Sequence, residues 1–268
     1  MVEKPESRIN HDLSEVDLAL CRATLYSALA LGFRPPTEET VDRLASDAGA
    51  TALAEAAAVL DANGASGLSS TVLRLSADTA SSDALSRSFL RLFGHTARGA
   101  VAPYETEYGA EALFQQSQEL GDLAGFYLAF GLTLSRAEHE RPDHVACECE
   151  FLSFLCLKEA YALENADVPM LEEARKATRL FLRDHLGRFV PAFSRKLVTE
   201  EPGGFYGVLG ELCSRFVTED CVRLGVPLGP ENLGLRPAND DRVPMACGSG
   251  TECAAMPGAY DPEENGAV

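Results

Sequence analysis

The chain has 268 residues, 46% of them hydrophobic and 24% charged, a composition ordinary for a globular protein. Its 23 Lys and Arg stand against 41 Asp and Glu, a formal charge of −18. That balance excludes nucleic acid and anionic membrane as natural partners, because both call for basic surface, and it favours a cationic peptide; simple solubility is the other use of so much acid.

Residues 1–13 are polar, lack the apolar core of a signal peptide, and read as a disordered N-terminus. Ser14-Glu15-Val16-Asp17 has the Ser-x-x-Asp capping pattern, and Leu18, Cys21, Leu25 and Leu29 continue it as a helical stripe that stops at Gly32 and Pro35-Pro36. Thr37, with Glu38 and Glu39, restarts a helix through Val41, Leu44 and Ala48. The Ala-rich stretch 51–62 follows as another and ends at Asn63-Gly64. Residues 66–82 read as a short helix and a loop. Asp83 is the expected cap of a helix that buries Leu85, Phe89 and Leu92 or Phe93 and ends at Gly94.

From Ala110 a helical pattern runs to Leu132, interrupted at Gly121 and Gly125, which predicts two helices or one broken one. A central helix is expected from about Pro142 to Asn165. Pro142 suits a first turn, Asp143 suits the positive end of the dipole, and Val145, Cys149, Leu152 and Cys156 recur at i, i+4, i+7 and i+11. Pro169 opens the next helix, with Met170, Ala174, Ala177, Phe181 and His185 on one face and Gly187 closing it; Pro191, Phe193 and Leu197 mark a short successor. Gly203-Gly204 releases the last helix, in which Phe205, Leu209, Leu212 and Phe216 form the stripe, and it ends at Gly225. Residues 226–268 hold six Pro and six Gly with little periodicity, and read as an acidic tail, extended or disordered.

No stretch alternates with period 2, and no repeat of the length of a solenoid unit is visible. The expected fold is therefore all-α: a single globular domain of about ten helices over residues 14–225, with an irregular C-terminal tail. No apolar run approaches the ~20 residues that span a bilayer. The eight cysteines (21, 147, 149, 156, 213, 221, 247 and 253) lie mostly in apolar helical patterns, which fits a reducing, cytoplasmic compartment.

Two polar stretches stand apart from this pattern. Tyr104-Glu105-Thr106-Glu107-Tyr108-Gly109 packs carboxylates and rings into one loop, and Glu140-Arg141-Pro142-Asp143-His144 is a polar corner ahead of the central helix. A guanidinium pairs with carboxylates in a fork and stacks on rings, so the first cluster suits an arginine-bearing peptide. His144 titrates near neutrality, and an acid at a helix start can orient a cation. The plainer reading of each is structural: the tyrosines pack, the two glutamates solvate the loop or cap the next helix, Asp143 caps, and His144 meets Glu148 one turn on. Phe126, Tyr127, Phe130, Phe151 and Phe154 are candidates for a groove taking an apolar peptide segment, and more simply are core.

His144-x-x-Cys147-x-Cys149, with His139 upstream, invites a zinc reading, but residues 147 and 149 point about 200° apart on a helix, so packing is the better account. Cys247 and Cys253 match no zinc spacing, and a disulfide or weak metal binding stays open for them. There is no nucleophile elbow, phosphate loop, dinucleotide fingerprint or His-Glu-x-x-His motif. No catalytic residue, metal ligand or cofactor is expected.

Together, Pro-Tyr-Glu-x-Glu-Tyr-Gly over 103–109 and Glu-x-Pro-Asp-His over 140–144, opening a Phe- and Leu-rich helix, resemble the TorD/DmsD/NarJ family of chaperones for molybdenum-cofactor oxidoreductases. The Tyr-Glu-x-Glu-Tyr-Gly form is most like the branch serving selenate-, chlorate- and ethylbenzene-type enzymes. The resemblance covers residues 14–225 in helix order and length. It implies a cytoplasmic chaperone without enzymatic activity that binds the twin-arginine leader and apo-form of a molybdopterin oxidoreductase catalytic subunit. Such binding aids cofactor insertion and holds back export of an empty enzyme. The family's Asp-His pair lies near the leader groove, which implies the same for Asp143 and His144, and the peptide-binding set becomes Tyr104, Glu105, Glu107, Tyr108, Glu140, Asp143 and His144. A monomer or a domain-swapped homodimer is implied, with 95–109 and 138–143 as hinges. Two rivals stay open: a cysteine-dependent metal-binding or redox-sensing protein, and a structural subunit of the mature oxidoreductase.

Overall fold

A computed structural model describes residues 14–61, 66–77, 81–94, 99–110, 115–134 and 140–236. The expected N-terminal segment, His139, parts of both expected hinges, and the tail from Pro237 on, with Cys247 and Cys253, lie outside the described residues. Among the described residues there are ten α-helices and no strand. They are α1 (Glu15–Gly32), α2 (Glu38–Thr40), α3 (Asp47–Leu60), α4 (Leu68–Ala77), α5 (Ser82–Phe93), α6 (Gln115–Ala129), α7 (Val145–Glu164), α8 (Val168–Asp184), α9 (Leu186–Glu200) and α10 (Phe205–Leu224). They belong to one compact unit that ends at Arg236. No helix among the described residues is long and apolar enough to cross a membrane.

Helix α1 starts on the capping box read from the sequence: Ser14 Oγ accepts from the Asp17 amide, and the Asp17 carboxylate accepts from the Ser14 amide. Its face of Ala19, Ala23, Leu25, Tyr26 and Leu29 is buried, and α1 lies along α7. Helix α7 is flanked on its other side by α8, so Phe151, Leu152, Leu155 and Cys156 are enclosed. Burial of each large side chain there contributes about 1.5–3 kcal/mol. Helices α9 and α10 pack against each other and bury Phe189, Phe193, Leu209, Leu212 and Phe216. Arg22 fastens α1 from within. Its Nε and Nη2 donate to Asp220 of α10 (2.6 and 3.1 Å) and its Nη1 to Glu159 of α7 (2.7 Å).

Several boundaries differ from the sequence expectation, each for a visible reason. The helix restarted at Thr37 lasts one turn, runs into a π-turn at Val41–Ala45, and stops at Ser46, which is extended and caps α3 by accepting from the Gly49 amide. Ser81, not Asp83, caps α5. Helix α6 is continuous through Gly121 and Gly125, which face open space. The expected short successor to α8 is a full helix, α9, with Gly187 and Pro191 both inside it. Pro191 has no amide to offer the Gly187 carbonyl, and that carbonyl accepts instead from the Gly229 amide at 2.9 Å. The central helix begins at Val145 rather than Pro142. Asp143 turns its carboxylate away from the helix end, and His144 takes the capping place. Residues 226–236 are anchored to the domain by main-chain hydrogen bonds at Val226, Gly229, Gly234 and Arg236.

Candidate functional site

Residues 99–110 form a strap between α5 and α6, and the fold lays this strap across the N-terminus of α7. The two polar stretches thereby meet. Glu105 donates its amide to the Asp143 carbonyl (2.8 Å), Val145 donates to the Pro103 carbonyl (2.9 Å), and Tyr104 and His144 form an isolated antiparallel bridge. A single turn of 3-10 helix over Glu105–Glu107 then buries Glu105 and Thr106 and leaves Glu107 half-buried.

Inward, Glu105 is fully buried. Its Oε1 accepts from Arg188 Nε and Nη2 (3.1 and 2.6 Å), and its Oε2 lies 3.0 Å from His185 Nδ1. Asp143 is fully buried as well. Arg141 grips it with a fork (3.0 and 2.7 Å), and Thr106 donates to it from Oγ1 at 2.7 Å. His144 is the N-cap of α7: its Nδ1 accepts from the Ala146 amide (3.1 Å), which places the ring proton on Nε2. Burial pushes the His144 pKa down, helped by Arg34 and Arg141 and opposed by Glu140 and Asp143, so the ring is held neutral.

Glu148, one turn into α7, is the member of this cluster without a match. It is fully buried and neither carboxylate oxygen has a hydrogen-bond acceptor role filled among the described residues. Arg188 is committed to Glu105 and Arg141 to Asp143, so a third carboxylate in the cluster has no cation of its own. Burial raises its pKa well above the usual carboxylate range, and the charges of Glu105 and Asp143 add to the shift.

Outward, the corner borders a groove. A cavity of about 610 Å³ opens between α1, α7 and the segment after α6. Leu31, Leu132, Phe151, Phe154 and Leu157 give it an apolar lining. Its rim carries Glu39, Glu140 and Glu150 with Arg34 and Arg43. Arg34 pairs with Glu150, and Arg43 pairs with Glu39 at 3.1 Å. Glu140 accepts from the Tyr104 hydroxyl (3.2 Å) and the Arg141 amide (2.9 Å), both neutral donors. Among the described residues, three carboxylates thus face two guanidinium groups, and Glu140 is the acid without an ion-pair partner. Burial and Glu140 push the Tyr104 phenol up to about 12. The Arg141 guanidinium covers the Tyr104 ring at 4.3 Å.

The candidate residues from the sequence therefore divide. Glu140 lines the groove, and Tyr104, half-buried, reaches it through its hydroxyl on Glu140. Glu105, Tyr108, Asp143 and His144 are buried behind it and hold the strap, while Glu107 is half-buried on the strap's other side. Tyr127 and Phe151 are core residues that also line the groove, with Phe154 half-buried beside them. The sequence reading missed Arg34, Glu39, Arg43 and Glu150 on the rim, and Arg188, His185 and Glu148 behind it. For Glu148 one signal was available: a carboxylate inside the apolar stripe of α7.

Cys147 faces the groove and Cys149 is buried away from it. Burial, then Glu140 and Glu150, push the Cys147 thiol up to about 12, which makes it a poor nucleophile and a poor metal ligand. Among the described residues no cluster of three His, Cys, Asp or Glu could hold a metal ion.

Comparison with known proteins places this architecture among relatives. The family described as nitrate reductase delta subunit matches residues 42–195. The selenate reductase assembly chaperone protein of Thauera selenatis is 42% identical over 95 residues, 35% of this chain and 48% of that protein. The chlorate reductase assembly chaperone protein of Ideonella dechloratans matches to the same extent. The chaperone protein TorD of Vibrio cholerae serotype O1 is 27% identical over 138 residues, 51% of this chain and 60% of that protein. The chain thus spans about half the length of the curated relatives it matches.

Proposed function

The chain belongs to the nitrate reductase delta subunit family, and from that premise we propose that it is an assembly chaperone for the catalytic subunit of a molybdopterin oxidoreductase. Its relatives named as assembly chaperones for selenate and chlorate reductases support a client of that kind. The protein works in the cytoplasm by binding and release, without bond chemistry. It holds the apo-subunit through its twin-arginine leader until the cofactor is in place, and so prevents export of an empty enzyme.

The observation that carries this reading is the groove. An apolar floor suits the hydrophobic stretch of a leader, and a rim whose described residues hold one more carboxylate than guanidinium favours an arginine beside it. In this reading Tyr104 and Glu140 touch the peptide. Glu105, Asp143 and His144 shape the corner from behind, and Glu107 and Tyr108 present the strap.

The test is titration with a fluorescently labelled twin-arginine leader and its Lys-Lys counterpart; the chain has no Trp, so the label reads cleanly. Saturable binding is expected to drop for Lys-Lys, to weaken with salt, and to fall several-fold in Glu140→Gln without loss of helical circular dichroism. A folded protein that ignores both peptides overturns the leader reading. Leader binding untouched by Glu140→Gln moves the contact away from the groove.

A further inference from the structure

The groove leaves one feature of the molecule unused: the arm that follows α10. Gly225 ends that helix in the left-handed conformation, and residues 226–236 run back over α9 to the strap. Gly229 passes so close to α9 that a Cβ there would lie 1.9 Å from the Arg188 carbonyl, so only glycine fits where its amide serves the Gly187 carbonyl. Beyond it the arm ends extended along the strap, paired with it through one isolated bridge. Gly109 donates to the Gly234 carbonyl and Arg236 donates to the Glu107 carbonyl, each at 2.8 Å, and Tyr108 and Leu235 form the bridge between them.

Arg236 is the last residue of the compact unit, and its side chain is only 11% exposed. Nη1 donates to the Thr106 carbonyl (2.8 Å), Nε to the Ala110 carbonyl (3.2 Å) and Nη2 to Glu119 Oε1 (3.1 Å). Gly109 lies against the guanidinium at a φ of 115°, a conformation that a side chain would strain.

Each half of this contact is a general recognition device. A strand edge binds main chain whatever its sequence, and a carboxylate with two carbonyls spread around a planar fork accepts arginine in preference to lysine. Leu235, beside the arginine, stays 41% exposed, so apolar burial contributes little to holding the end of the arm. Another extended segment bearing an arginine would make the same hydrogen bonds and would leave Glu119 paired.

We propose that residues 234–236 are an internal occupant of an arginine-receiving strand edge on the strap, and that an extended, arginine-bearing segment of the client docks there by displacing them. Only the identity of the partner rests on the chaperone reading; the edge and its preference for arginine do not.

The site itself is tested on the full-length chain with a labelled peptide copying residues 229–238 and a version carrying Lys in place of its arginine. Arg236→Ala is expected to bind the arginine peptide roughly tenfold or more tightly than the unaltered chain, whose edge is open in only a fraction of molecules. The Lys version is expected to bind neither protein. Equal binding of the arginine peptide to both proteins overturns the proposal. Arg236→Lys, which keeps the charge and loses the fork, replaces the Ala variant if that one loses its helical circular dichroism.

The occupant is tested by amide exchange in the unaltered chain. Saturating twin-arginine leader is expected to strip protection from the Arg236 amide, which leaves with the arm, while the Gly109 amide stays protected because the leader's main chain takes the place of the Gly234 carbonyl. A leader that binds while the Arg236 amide stays protected overturns docking on the strap and leaves the chaperone reading standing, whereas a leader that does not bind removes both.

Discussion

Arg22 and Arg188 each bring a guanidinium to buried carboxylates, one among helices and the other where the strap crosses them, and their surroundings are matched to different degrees. Around Arg22 each charged group has its partners. Asp220 takes two donors from Arg22 and a third from the Tyr26 hydroxyl (2.8 Å), and Glu159 is shared between Arg22 and Arg175, at 2.7 Å each. Around Arg188 the matching is partial. Five buried side-chain nitrogen or oxygen atoms lack a hydrogen-bond partner among the described residues, and four of them belong to Glu119, Glu148 and His185. Glu119 Oε2 and His185 Nε2 still have ionic neighbours, Arg236 at 3.1 Å and Asp122 at 3.2 Å, but Glu148 forms no ion pair among the described residues and feels Arg188 only from a distance. A satisfied network fixes one arrangement of its helices, whereas a partly satisfied one leaves the arrangement open to a proton or a partner. The Arg22 network belongs to the fold. The Arg188 network lies between the groove and the arm, the two surfaces proposed to meet a client.

Breaking the matched network has the largest expected effect. Arg22→Ala strands Asp220 without a counter-charge and leaves Glu159 with Arg175 alone, and removing one partner of a buried pair costs about 3–5 kcal/mol. For a chain of this size that lowers Tm by on the order of 10 °C, read by thermal unfolding followed by circular dichroism. A fall of only ~2 °C would show that water or rearrangement replaces the arginine, and the contrast between the networks would go.

Glu148→Gln is expected to act in the opposite direction. The folded-state pKa of Glu148 is raised, so between its unfolded value, near 4.3, and that raised value the folded chain holds the extra proton. Stability contributed by the neutral acid therefore falls as pH rises through that window. An amide keeps the shape and needs no proton, so the variant should gain on the order of 1 kcal/mol near pH 8 and flatten the decline on the alkaline side. A variant whose stability tracks the unaltered chain from pH 6 to pH 9 would mean that Glu148 is ionised and paired.

This contrast marks how far the sequence could be read. Features written in neighbouring residues were legible: the capping box at Ser14, the stripe of α7, the end of α10 at Gly225, and an all-helical fold. Features completed by distant residues were not. Gly187 reads as the end of one helix and Pro191 as part of a short successor, until Gly229, beyond α10 in the chain, supplies the donor that Pro191 lacks. The glycines of α6 read as breaks because neighbouring residues show only their low helix propensity, while the helix that holds them is continuous. The same division runs through the site. Both polar stretches were visible as residues, and the bridge between Tyr104 and His144 brings them together. Their division into buried and groove-facing members was not visible, because the counter-charge of Glu105 is Arg188, 83 residues along the chain. An acidic loop and an internal ion pair look alike until that partner is placed.

His144 stands at the seam between strap and groove, and its replacement should have the smallest effect of the three with the most informative pH dependence. His144→Ala removes the acceptor for the Ala146 amide, a capping loss of about 1 kcal/mol. The folded ring is neutral because burial lowers its pKa, while in the unfolded chain it titrates near 6.5. The unfolded state therefore binds the proton first, and the histidine's contribution declines as pH falls through that value. The deficit of His144→Ala should consequently be full at pH 8 and shrink toward pH 5, as measured by urea unfolding at each pH. A deficit that grows on acidification would mean a protonated ring paired with Asp143 or Glu140. His144 would then belong with the fully paired charges around Arg22, and the rim of the groove would lose its surplus acid on the acid side of neutrality.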